Sequence, residues 1–110
     1  MGYANTQRVE TNVGRERTLR RRALRLARRG QHRKAALALR EAVCVNDDAP
    51  GWTRLGAMLQ RAGKNDEALQ PFRQALFQFR REGEAGRSQT LTRLIAHLDP
   101  AAYASNASFC

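Results

Sequence analysis

The chain has 110 residues, enough for one domain with a modest core. Its 20 lysines and arginines stand against 10 acids, a formal charge of +10, so anionic partners are favoured over cationic ones. No apolar run approaches the roughly 18 residues of a membrane span, and the first residues lack the apolar centre of a signal peptide, which points to the cytoplasm.

In chain order, residues 1–14 are polar and without periodicity, and are expected as a mobile N-terminal segment. A first helix is predicted over 15–29. At 100° per residue Leu19, Ala23, Leu24, Leu26 and Ala27 share one side of it, and every arginine but Arg20 falls on the other. The charge is localised there. Residues 15–34 hold ten bases and one acid, Glu16, a net of 10 − 1 = +9, while residues 35–110 hold nine bases and eight acids, a net of +1. Gly30 is placed to end this helix in a left-handed conformation. A second helix follows over 32–45, with Ala35, Leu39, Ala42 and Val43 facing inward.

Asn46, Asp47, Asp48, Ala49, Pro50 and Gly51 read as a turn, with Pro50 set in the first turn of a third helix that runs to about Arg61. Asn65 is the expected cap of a fourth helix, with Asp66 and Glu67 favourable against its dipole. That helix continues to about Arg81. Residues 82–87 contain Gly83 and Gly86 and read as a short linker. Leu91, Leu94, Ile95 and Leu98 then recur at i, i+3, i+4 and i+7, predicting a fifth amphipathic helix that starts between Ala85 and Ser88 and stops at Asp99 and Pro100. Residues 100–110 are expected to be a tail.

The third and fourth helices carry Trp52, Leu55, Gly56, Leu59, Ala68, Phe72 and Ala75 at helical spacing. Gly56 and Ala68 are small where two helix axes should cross, and Trp52 and Phe72 are large enough to fill the wedge where the axes diverge. The pattern recurs. A shift of 33 residues lays Leu19 on Trp52, Ala23 on Gly56, Leu26 on Leu59, Gly30 on Gly63, Ala35 on Ala68 and Leu39 on Phe72. Leu26, Arg28, Gly30, Ala35, Arg40 and Ala42 are identical to their partners. This repeat resembles the tetratricopeptide repeat, a helix–turn–helix unit of about 34 residues. Arg22 stands where the family places leucine, and Arg80 where it places proline. The resemblance implies an all-α fold: antiparallel helix-turn-helix repeats stacked as a short right-handed superhelix of about five helices. Residues 15–99 would form the domain, with repeat 1 at 15–48, repeat 2 at 49–82 and a capping helix at 85–98.

Nothing in the chain is arranged for catalysis. His32 and His97 are far apart and lack a Cys or carboxylate at ligand spacing. The acidic pairs Asp47–Asp48 and Asp66–Glu67 sit at helix starts, where capping explains them. There is no phosphate-binding glycine loop and no nucleophile elbow. Cys44 and Cys110 have no metal-ligand spacing and are expected to be inert. No enzyme, no cofactor and no metal are therefore expected.

In the resembled family the first helix of each repeat lines a concave groove that holds a partner segment. Carried to this chain, the lining is Arg17, Arg20, Arg21, Leu24, Ala27 and Arg28 from repeat 1, and Thr53, Ala57, Gln60 and Arg61 from repeat 2. The expected function is that of an adaptor or scaffold binding an acidic protein or peptide. Nucleic-acid binding through the basic first helix ranks second, and docking on an anionic membrane surface third, because the apolar side of that helix is needed by the core. Two repeats and a cap are few for a continuous core, so self-association, a homo-oligomer, or stabilisation by a partner is also expected.

Overall fold

A computed structural model of the chain describes residues 2–101, with side chains from Asn12 onward. The described residues form five helices and no strand: α1 (Gly2–Arg28), α2 (His32–Val45), α3 (Ala49–Arg61), α4 (Asn65–Arg81) and α5 (Ala85–Leu98). The fold is all-α and repeat-like. Each helix backbone approaches only the helices next to it in sequence. Cys110 and the expected tail from residue 102 onward lie outside the described residues.

Three of the four connections are the same turn. After α1, the Gln31 amide donates to the Leu26 carbonyl at 2.9 Å and Gly30 to Ala27 at 2.9 Å. After α3, Lys64 donates to Leu59 at 2.8 Å and Gly63 to Gln60 at 3.0 Å, and after α4, Glu84 donates to Phe79 at 2.9 Å and Gly83 to Arg80 at 3.1 Å. Gly30, Gly63 and Gly83 take φ of 77°, 77° and 75°, left-handed values that side chains resist. The first two turns are 33 residues apart, so the sequence repeat is also a repeat of backbone hydrogen bonds. The third replaces the linker expected over 82–87: Ala85, Gly86 and Arg87 are already helical, and α5 folds directly back on α4.

The remaining connection, between α2 and α3, is built from side chains. Asp48 caps α3 by accepting the Gly51 amide at 2.8 Å, and Asn46 donates to the other Asp48 oxygen at 3.2 Å. Asp47 accepts from the Trp52 indole and from the Gln78 amide on α4.

A contiguous core runs through the array from Ala23 on α1 through Ala35, Leu39 and Val43 to Leu55, Leu59, Phe72, Phe79 and Leu91. Phe72 is fully enclosed. Gly56 lies flat against its ring, where a β-carbon would come within 2.6 Å of two ring atoms. The small residue at the crossing and the large one in the wedge are both where the spacing puts them.

Four expectations are corrected. Helix α1 begins at Gly2, not at residue 15, so residues 2–14 are helical: no proline interrupts them, and Gly14 alone does not end a helix. Trp52 is only half-buried, because its indole N–H turns outward to Asp47. Leu19, which the repeat shift lays on Trp52, is buried but stands outside the contiguous core that holds Phe72 and that Trp52 packs against. Asn65 is the first residue of α4, and its N-cap, Lys64, makes no side-chain cap bond.

Candidate functional site

Helices α1 and α3 both lie against α2, yet their backbones do not approach each other. The space between them is a groove of about 490 Å3, within the range of sites that hold a ligand or an anchoring side chain. Its floor is Ala23, Leu39 and Met58, all buried, with Ala57 beside them. Leu24 adds an apolar wall and is 51% exposed. It lies at the edge of the apolar side of α1 and lines the groove.

Five arginines rim this apolar floor: Arg17, Arg20 and Arg21 from α1, Arg54 and Arg61 from α3. No carboxylate lines it. Among the described residues, Arg20 is the only rim arginine with an ion-pair partner, Glu16 one turn earlier at 3.5 Å. The pair is exposed and weak, so four guanidinium groups face the groove with their fork of donors uncommitted to any carboxylate. Such a rim suits carboxylates, which a guanidinium can grip with two parallel bonds.

Of the residues expected at the site, Arg17, Arg20, Arg21, Leu24, Ala57 and Arg61 stand around the groove or beside it, all but Ala57 on its walls. Ala27, Arg28, Thr53 and Gln60 do not line it. Ala27 is half-buried against the core. Arg28 shares the face of Leu24 but lies in the last turn of α1, beyond the lining. The Thr53 hydroxyl turns back to the Ala49 carbonyl at 2.8 Å. Arg54, Met58, Ala23 and Leu39 are the lining residues that sequence reasoning missed. Arg54, Ala57, Met58 and Arg61 lie at i, i+3, i+4 and i+7, so the lining face of α3 shares Ala57 and Arg61 with the expected one and takes Arg54 and Met58 in place of Thr53 and Gln60.

The groove has no acid–base pair and no nucleophile among its lining residues. Among the described residues no three His, Cys, Asp or Glu side chains gather to hold a metal ion. No described helix is long and apolar enough to cross a membrane. The arrangement can take an apolar group in its floor and negative groups on either rim.

Fold and groove together define a helical array of repeat-like hairpins carrying a basic cleft. No family model matches the sequence, and no curated protein sequence matches it either.

Proposed function

We propose that this chain is a short array of the tetratricopeptide type, acting as a non-enzymatic adaptor that holds an acidic peptide or protein segment in the groove between α1 and α3. The observation that carries the reading is the five-arginine rim around an apolar floor with no carboxylate in the lining. Opposite charge steers an acidic segment to the cleft, and burial of one apolar anchor against Leu39 and Met58 supplies non-directional affinity. A second copy of the chain is a poor occupant, because its own groove face carries the same sign. The 33-residue recurrence of the Gly30 and Gly63 turns supports the tetratricopeptide assignment. A cytoplasmic location belongs to the same proposal.

The test is fluorescence anisotropy with a labelled peptide that alternates Asp or Glu with Leu. Wild-type protein binds it, and a lysine-substituted counterpart does not bind. Arg17→Glu, Arg54→Glu and Arg61→Glu together lower affinity by more than about tenfold, since each lost charge-assisted bond is worth about 1.5–3 kcal/mol, while circular dichroism stays helical. Unchanged affinity in that variant rules the groove out as the binding site.

A further inference from the structure

The groove accounts for only part of the positive charge. Arg22 and Arg25 on α1 and Arg29 in the turn just after it lie at i, i+3 and i+7, rotated away from the groove-lining residues, and all are exposed. The Gly30 turn leads from them to the start of α2, where Arg33 and Lys34 are also exposed; Arg33 borders a separate depression, between α2 and the start of α4, with Arg40, Lys64 and Glu67. Arg22 and Lys34 border one depression of about 410 Å3 between α1 and α2, where Glu41 is the one carboxylate. Among the described residues none of these five bases is within ion-pair distance of an acid.

This charge works against the fold. The first turn of α2 holds no acid, and its N-cap, Gln31, makes no side-chain bond, so Arg33 and Lys34 sit at the positive end of a helix dipole. One repeat later the equivalent positions are Asp66 and Glu67, which the dipole favours. The same helix start thus carries opposite charge in the two hairpins, and only the second arrangement helps the helix form.

We propose that this face, Arg22, Arg25, Arg29, Arg33 and Lys34, is a second interaction surface, separate from the groove, that docks on the phosphate backbone of double-stranded nucleic acid. The stretch from Arg22 to the end of α1 and Arg29 just beyond it spans about 10 Å at 1.5 Å per residue. A duplex carries about six negative charges over that length, so five bases meet several phosphates at once. The face has no aromatic side chain on which single-stranded bases would stack. Its contacts are to phosphates, which position a protein without reading sequence. An anionic membrane fits less well: Leu19 and Ala23, on the apolar side of α1, are buried, and of the two leucines bordering the depression Leu26 is packed against the core and Leu37 alone is exposed.

The experiment uses the full chain and a fluorescein-labelled DNA duplex of random sequence. Binding appears at low salt and weakens about a hundredfold between roughly 50 and 200 mM salt, as about four phosphate contacts require. Two triple variants with the same net charge are compared. Arg25→Glu, Arg29→Glu and Arg33→Glu together lower duplex affinity more than tenfold and leave the acidic peptide bound. Arg17→Glu, Arg54→Glu and Arg61→Glu lower duplex affinity much less, although they empty the groove. Equal losses in the two variants would reduce the effect to overall charge and overturn the assignment. So would absence of duplex binding at low salt, or binding to anionic phospholipid vesicles without binding to the duplex. Because the duplex and the peptide are read separately, failure here leaves the groove reading standing.

Discussion

Gly56 shows how narrow the tolerance is at a single position. Alanine there gains about 1 kcal/mol of helix propensity, but its β-carbon would sit 2.6 Å from a Phe72 ring that has no free side to move into. Overpacking of that kind costs about 1–3 kcal/mol. Gly56→Ala is therefore expected to lower the melting temperature, and an unchanged or higher value in calorimetry would mean that the α3–α4 crossing is looser than described. Asp47 makes a different kind of prediction. Hydrogen bonds from the Trp52 indole, first, and the Gln78 amide hold its carboxyl below the ordinary value of 3.8. The folded state then binds the proton less readily than the unfolded one, so the contribution is complete above about pH 4 and fades as pH falls through the lowered value. Asp47→Asn should flatten the acid limb of the stability curve, measured by urea denaturation between pH 2 and 5 (a range on the order of the carboxylate titration). The spacing of Gly56 and Phe72 was enough to foresee their contact. The role of Asp47 was not foreseeable, because its partner Gln78 lies on α4 and nothing local marks the pair.

At the level of elements, the helices α2 to α5 were legible from their apolar periodicity and from local signals at several of their ends. Glycines stop α1, α3 and α4, Asp48 starts α3, and Asp99 and Pro100 follow α5. The start of α1 had no such signal. Residues 2–14 lack apolar periodicity, and periodicity reports burial against a partner, not helicity itself. Helix α1 has 27 residues against 14 in α2, so α2 can impose a pattern on only part of it. The unfavourable start of α2 gives a prediction at the same scale. Arg33→Glu places an acid at the positive end of the dipole and is expected to raise stability by about 1 kcal/mol at low salt, with the gain shrinking as salt is added. Glu67→Arg, the mirror change on α4, should lower it. Thermal melts of the two variants check the pair, and equal shifts of the same sign would show that the dipole is not what distinguishes the two helix starts.

On the scale of the whole molecule, charge and shape divide the work. Residues 15–34 hold nearly all the excess positive charge, and the fold splits it into a groove rim and an outer face. The composition made a basic surface on the first helix foreseeable. It could not show which arginines share a cleft, because that depends on Arg54 and Arg61 arriving from the second hairpin across a gap that α2 sets. From α3, Ala57 and Arg61 line the groove, but Arg54 and Met58 stand in it where Thr53 and Gln60 were expected, for the same reason: the repeat pattern identifies the helix that faces the groove, but the pitch of one hairpin on the next decides which of its residues do. The most direct measurement is a map of backbone amide shifts in an isotope-labelled sample titrated with the acidic peptide. Changes centred on Arg20, Leu24, Ala57, Met58 and Arg61 are the predicted result, saturating with one peptide per chain. Changes centred on α4 and α5, or spread evenly over every exposed arginine, would contradict it.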